Sequence, residues 1–234
     1  MIRRIGMLII LSFLLTSCKN IKECPDAEIS WVDMVKINDI RYESIKYRSN
    51  TNIQVDKGNG IGKVSYTMAG NACSDHKMKN GDATFLDINT PIYEVRGYPS
   101  NFIVSANNQV YVVNSNVKAK TAEELLPMKN LVKNIYIQST DDGSIIHTIS
   151  QLNKNMFIEE WYKLKLRDVQ TVIDERKLEG ERIFLEIELN NGITFGQTYW
   201  IDTNTFHNGV IGNKNIKRII ENELKNIKQG NKKP

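Results

Sequence analysis

The sequence predicts an α+β, β-rich protein, with a small barrel- or sandwich-like N-terminal region followed by an antiparallel sheet with two helices. Three observations carry this. Short runs of β-branched and aromatic residues recur through residues 29–116 with turn residues between them and no long helical period. Residues 182–190 alternate apolar and polar, then meet Asn191-Gly192, the strongest two-residue hairpin signal. Residues 150–164 and 213–228 repeat apolar side chains at helical spacing.

The elements follow in chain order. Residues 40–48 and 61–68 read as strands, with Asp56, Gly58, Asn59 and Gly60 as the turn between them. Strands at 83–86, 92–95, 102–105 and 110–113 come next, and Asn107-Asn108 turns the last pair into a hairpin. Thr121 caps a single helical turn that Pro127 stops. A boundary falls here, dividing a β-rich region over 29–117 from an α+β region over 118–228, with a polar tail over 229–234. Strands at 132–138 and 144–148 flank Asp141-Asp142-Gly143. Ser150 then caps a helix to about residue 164 whose apolar face is Leu152, Met156, Phe157, Trp161 and Leu164. Ile183, Leu185, Ile187 and Leu189 share one strand face, and residues 193–201 return beside them.

Composition sets the outer limits. With 234 residues, 41% hydrophobic and 25% charged, the chain can bury a core and is not a disordered one. A net charge of +4 is too small to indicate nucleic-acid binding. Three cysteines are too few for a disulfide scaffold or a four-thiolate zinc site. Ile, Asn and Lys number 30, 26 and 22 against 7 Ala, the signature of a low-GC genome, so each single Lys or Asn carries less weight.

The first eighteen residues carry the strongest functional signal. Arg3 and Arg4 precede an apolar run over residues 5–15, too short for the roughly 20 residues a bilayer span needs. The run ends in Leu15-Thr16-Ser17-Cys18, which resembles the lipobox of bacterial lipoproteins, where the cysteine thiol takes a diacylglyceryl group and the chain is cut just before it. The expectation is therefore a signal peptide over 1–17, a lipidated tether over 18–28, and attachment to the outer face of a cell membrane through Cys18. Two acyl chains hold a protein stably where one does so only marginally. The processed chain carries a net charge of +2. Cys24 and Cys73 remain, either as free thiols or as a disulfide, which the compartment outside the membrane permits.

Around this signal stand Trp31-Val32-Asp33-Met34-Val35-Lys36-Ile37-Asn38, Ile61-Gly62-Lys63-Val64, Lys79-Asn80-Gly81-Asp82-Ala83-Thr84-Phe85-Leu86 and Thr90-Pro91-Ile92-Tyr93-Glu94-Val95-Arg96-Gly97-Tyr98. With the lipobox they resemble a group of uncharacterised Bacillus-type lipoproteins. The resemblance covers the signal and most of the first region, and the second region more weakly. It implies a Gram-positive, membrane-anchored protein and brings no activity with it.

Chemical motifs are sparse. His76, His147 and His207 show no i, i+4 spacing, and no HExxH, GxSxG or SxxK pattern occurs. Cys73 and His76 lie in one loop, whereas a catalytic cysteine usually draws its histidine from elsewhere in the fold. Asp141-Asp142 and Glu159-Glu160 read as a turn and a helix face rather than a hydrolytic pair. Gly58-Asn59-Gly60-Ile61-Gly62-Lys63 lies between strands, the wrong place for a phosphate loop. Asp202-Thr203-Asn204 is rejected as a calcium loop, since Phe206 takes the fifth position and no glutamate closes it. No pattern calls for a cofactor or metal.

The best interaction candidate is the C-terminal helix. Ile216, Ile219, Ile220, Leu224 and Ile227 form one stripe. From Lys214 onward the local charge is +5, leaving −3 on residues 18–213. Lys217, Arg218, Lys225, Lys228, Lys232 and Lys233 could meet anionic lipid headgroups or wall polymers, or could be the solvated face of a docked helix. The reading that results is a non-enzymatic binding or interaction lipoprotein. An exported hydrolase of wall or extracellular polymer and a surface immunity or inhibitor protein are the alternatives.

Overall fold

A computed structural model describes residue 24, residues 31–45 and residues 55–230, with the side chains of residues 228–230 excluded. The expected signal peptide, Cys18, Lys232, Lys233 and the Lys228 side chain lie outside the described residues, as does the end of the strand expected over 40–48. Strands make up 37% and helices 19% of the fold, a β-rich α+β protein as the sequence predicts.

The first sheet contains β1 (Met34–Ile37), β2 (Ile40–Ser44), β3 (Lys57–Lys63), β4 (Tyr66–Thr67), β5 (Asp82–Ala83), β6 (Pro91–Val95), β7 (Ile103–Ala106) and β8 (Gln109–Asn116). Their spatial order is β3-β6-β7-β8-β2-β1-β5-β4, so the sheet curls until its two edges are consecutive strands. Asn107 and Asn108 make the β7–β8 turn with φ of 47° and 59°. Asn38 and Asp39 turn β1 into β2 in the same left-handed region, which short polar side chains tolerate best after glycine.

The turn expected over residues 56–60 is instead strand from Lys57 onward. β3 runs through it and pairs with β6 across two register shifts. The glycines answer to packing: a Cβ on Gly62 would lie 2.5 Å from Ile37 Cδ1, and one on Gly58 3.0 Å from Glu94 Cβ. Here glycine marks close approach within a bulged edge strand.

A single helical turn, α1 (Ala122–Leu125), leads to the second sheet, and Thr121 caps it by accepting from the Glu124 N–H. That sheet holds β9 (Val132–Gln138), β10 (Ile145–Thr148), β11 (Lys165–Leu166), β12 (Arg182–Leu189), β13 (Thr194–Trp200), β14 (Thr205–Phe206) and β15 (Val210–Ile211), ordered β10-β9-β12-β13-β14-β15-β11. Every pairing in it is antiparallel. Helices α2 (Gln151–Trp161), α3 (Val169–Asp174) and α4 (Lys214–Gly230) accompany it. α3, capped by Asp168, was not anticipated. It is six residues long, too brief to display helical periodicity.

One core joins the two sheets. Phe102 of the first meets Phe195 of the second edge-on at 5.7 Å between centroids. Trp161 stacks on Phe157, takes Phe206 edge-on, and donates its indole N–H to the Ala122 and Leu126 carbonyls of the connector at 3.0 and 3.1 Å. The face of α2 departs from expectation. Phe157 and Trp161 are buried, Leu152 is 71% exposed, and Lys154 is buried in its place. Its ammonium reaches the Lys133 carbonyl at 2.7 Å, so a charged tip is satisfied while its stem packs.

Candidate functional site

Strand alternation sends one side of the second sheet inward and the other outward. Ile135, Ile137, Leu185, Ile187, Phe195 and Tyr199 are buried inward. Outward and half-exposed stand Asn134, Tyr136 and Gln138 of β9, Phe184, Glu186 and Glu188 of β12, and Thr194, Gly196, Thr198 and Trp200 of β13. Cross-strand register places Glu186 between Tyr136 and Gly196, Phe184 between Gln138 and Thr198, and Arg182 opposite Trp200. Three aromatic rings, two carboxylates and several amides and hydroxyls thus share one β face.

Its polar groups are tied down. Glu188 accepts from Lys133 Nζ at 2.8 Å, from Asn134 Nδ2 at 2.8 Å and from the Tyr136 hydroxyl. Partial burial pushes the Glu188 carboxyl up, but those three hydrogen bonds outweigh it and hold the group below the ordinary carboxylate range. Burial, then the Glu188 carboxylate, pushes the Tyr136 phenol up. Gln138 Nε2 donates to Glu186 at 2.7 Å, and the Arg182 guanidinium lies 5.7 Å from the Phe184 ring centre. An ionised Glu188 accepts hydrogen bonds and has no proton to give, which bars it from acting as the proton donor of a glycoside-cleaving pair at neutral pH.

At Gly196 and Thr198 the face runs into a cleft of about 190 Å³ between the two sheets. Glu43 and Asn114 of the first sheet line it, joined by an Asn114 Nδ2 to Glu43 Oε2 bond of 3.0 Å. His207 lines it too, its Nδ1 accepting from the Thr198 N–H at 3.2 Å. Gln197 is buried in the wall, donating to the Gly196 carbonyl and accepting from Asn208.

Of the residues singled out by sequence, His207 lines this cleft and the others fall elsewhere. Cys24 and Cys73 are bridged, with sulfurs 2.00 Å and Cα atoms 5.0 Å apart. His76 bonds the buried Asp82 at 2.8 Å beside that bridge. His147 bonds Glu223 at 2.6 Å, while Ser150 donates its hydroxyl to the same carboxylate at 2.9 Å. A serine, a histidine and a glutamate therefore meet, but both others bond the carboxylate instead of the serine giving its proton to the imidazole, which the nucleophilic triad requires. Their work is structural, clamping β10 and the start of α2 to α4. Asp142 folds back on Ser144, and Glu160 bonds Lys163 and Asn213. Among the described residues, no group of three or more His, Cys, Asp or Glu is placed to hold a metal, and no helix is long and apolar enough to cross a membrane.

On α4 the stripe of Ile216, Ile219 and Ile220 is buried in the core, with Leu224 and Ile227 packed against it. Arg218 and Lys225 are exposed and Lys217 is half-buried. The helix is thus a docked element with a basic outer face. The aromatic face of β9, β12 and β13 was missed by sequence reading. Its signal was present in the polar half of the alternation, where Phe184, Tyr136 and Trp200 occupy positions that solvent-facing strands usually give to charged or small polar residues. Comparison of the chain with known protein families, with characterised proteins and with solved structures finds no match.

Proposed function

We propose that this is a non-enzymatic binding lipoprotein, held on the outer face of the cell membrane by a diacylglyceryl group on Cys18, that takes a neutral glycan on the outward face of its second sheet. The observation that carries the binding reading is the grouping of Tyr136, Phe184 and Trp200 with Glu186, Glu188 and Gln138 on one half-exposed β face. Sugar rings present apolar C–H faces that lie flat on aromatic rings, and hydroxyl edges that donate to carboxylates and amides. Fixed acceptors cost little ordering on binding. The acidic groups favour a neutral polyhydroxyl chain over an anionic polymer. The anchor rests on the lipobox.

Retention on the insoluble neutral glycans chitin and cellulose tests the binding, with circular dichroism as the folding control. The Phe184→Ala/Trp200→Ala double variant is expected to lose at least tenfold in retention while keeping its spectrum. Unchanged retention overturns the reading. Release of reducing sugar ends, abolished in Glu186→Gln, would make the face a hydrolytic site instead. The anchor is tested by the mass of the N-terminal peptide and by Cys18→Ala, which is expected to release the protein into the medium.

A further inference from the structure

The Cys24–Cys73 bridge changes how the domain can sit on its anchor. Only six residue steps separate Cys18 from Cys24, a reach of about 20 Å at full extension. Without the bridge the leash runs to Trp31, thirteen steps and on the order of 45 Å. A domain of this length is itself about 45 Å across. The unbridged leash would let either end of the molecule touch the bilayer. The bridged one holds the Cys73 loop within half a domain's width of it.

That loop borders a groove of about 550 Å³ whose lining includes Trp31, Val32, Lys36, Arg41, Lys77 and Val117. Val32 is 52% and Val117 67% exposed, and Arg41 and Lys77 are exposed too. Beside Val32, Thr84 donates its hydroxyl to the Val32 carbonyl, and its neighbour Phe85 is 47% exposed. The opposing charges nearby are engaged: Asp39 with Lys118 and Asn80, and buried Asp82 with His76. Asp75, in the loop itself, is exposed. Apolar tips set among cations suit the headgroup layer of an anionic bilayer, which attracts each cation near its surface.

We infer that this rim of the first sheet, oriented by the disulfide, is the surface the protein lays on anionic phospholipid headgroups, and that the basic face of α4 is turned away. The inference rests on the Cys18 anchor proposed above. α4 belongs to the second sheet, packed on α2 and tied to β10 through Glu223.

The lipidated full chain in phosphatidylglycerol–phosphatidylethanolamine vesicles, with a quencher on the lipid headgroups, tests it. A fluorophore is attached in turn at Val32→Cys, Val117→Cys and Lys225→Cys. Quenching at the first two positions is expected to exceed that at the third at least threefold, and to fall below twofold in the Cys24→Ser/Cys73→Ser background. Equal quenching at all three, strongest quenching at Lys225→Cys, or a contrast that survives loss of both cysteines overturns the orientation while leaving the anchor intact. An N-terminal peptide without lipid mass in the same sample overturns the anchor and this inference together.

Discussion

The two sheets are held by different means. The first is wound by distant partners: β2 lies beside β8, β3 beside β6, and β5 is inserted between β1 and β4. Its last strands at that edge are two residues long, and a bridge across 49 residues fastens the loop between them. The second is built around the β12–β13 hairpin with β9 alongside, and helices on its inner face bury large rings against it. Long central strands under a helix layer support themselves, even where β9 meets β12 from far along the chain. Long-range pairing of short strands needs a covalent fastener, because each closure must offset a large loop entropy before contacts reward it.

The largest effect should come from the residue that serves both regions. Trp161 fills the core under β14 and bonds the connector carbonyls next to α1. Trp161→Ala is expected to cost about 4–5 kcal/mol, from lost burial, a cavity and the loss of the indole donor to the Leu126 carbonyl, while the Ala122 carbonyl keeps the Leu126 N–H. A single denaturant transition moving as a whole would confirm that the sheets unfold together. Two separated transitions would break the picture of one core.

Loss of the bridge should come next and should fall on one sheet. The chain-entropy account gives about 4 kcal/mol for a loop of this size. Hydrogen exchange is the discriminating measurement. The Cys24→Ser/Cys73→Ser protein is expected to lose protection in β1, β4 and β5 while β9, β12 and β13 keep theirs. Uniform loss over both sheets would mean that the fastener serves the whole molecule.

The corresponding fastener of the second sheet is electrostatic. Burial pushes the Glu223 carboxyl up, but bonds from His147, Asn153 and Ser150 outweigh it and hold the group at about 2, against an ordinary 4.5. A folded-state value below the unfolded one means that the stabilisation is complete above about pH 4.5 and is lost as pH falls toward 2. The difference corresponds to roughly 3 kcal/mol. Stability measured between pH 6 and 2.5 should fall by most of that, and the Glu223→Gln variant should show a flatter profile. Identical slopes would remove the carboxylate from the account.

The contrast also explains what the sequence made legible. β9, the Asn191-Gly192 turn, the Ser150 cap and α4 were readable because their signals are local, each spanning a few residues. The pairing of β3 with β6 was not, because glycine in a turn and glycine under a neighbour's side chain look alike along the chain. α2 shows the same limit. Leu152 completes a helical stripe but faces solvent, while Lys154 is buried because two backbone carbonyls happen to lie within its reach. The candidate face was legible only in part. The alternation marked which side of β12 is outward, but its partners Tyr136 and Trp200 come from other strands, and only register brings them together.

Gly62 gives the smallest and most local test of the difference between the sheets. Gly62→Ala would place a methyl 2.5 Å from the Ile37 Cδ1 atom, the far end of a side chain that can rotate away. The backbone there is extended strand, so alanine itself is conformationally favoured over glycine. Overpacking and reduced chain entropy oppose each other, and a net cost of about 1 kcal/mol is expected. At the β3 edge, which bulges rather than running in even register, it should appear as faster exchange of β3 and β6 amides with the second sheet untouched. If β3 and β6 kept full protection, the first sheet would be as self-supporting as the second, and the need for its disulfide would have to be sought in the orienting role proposed for it alone.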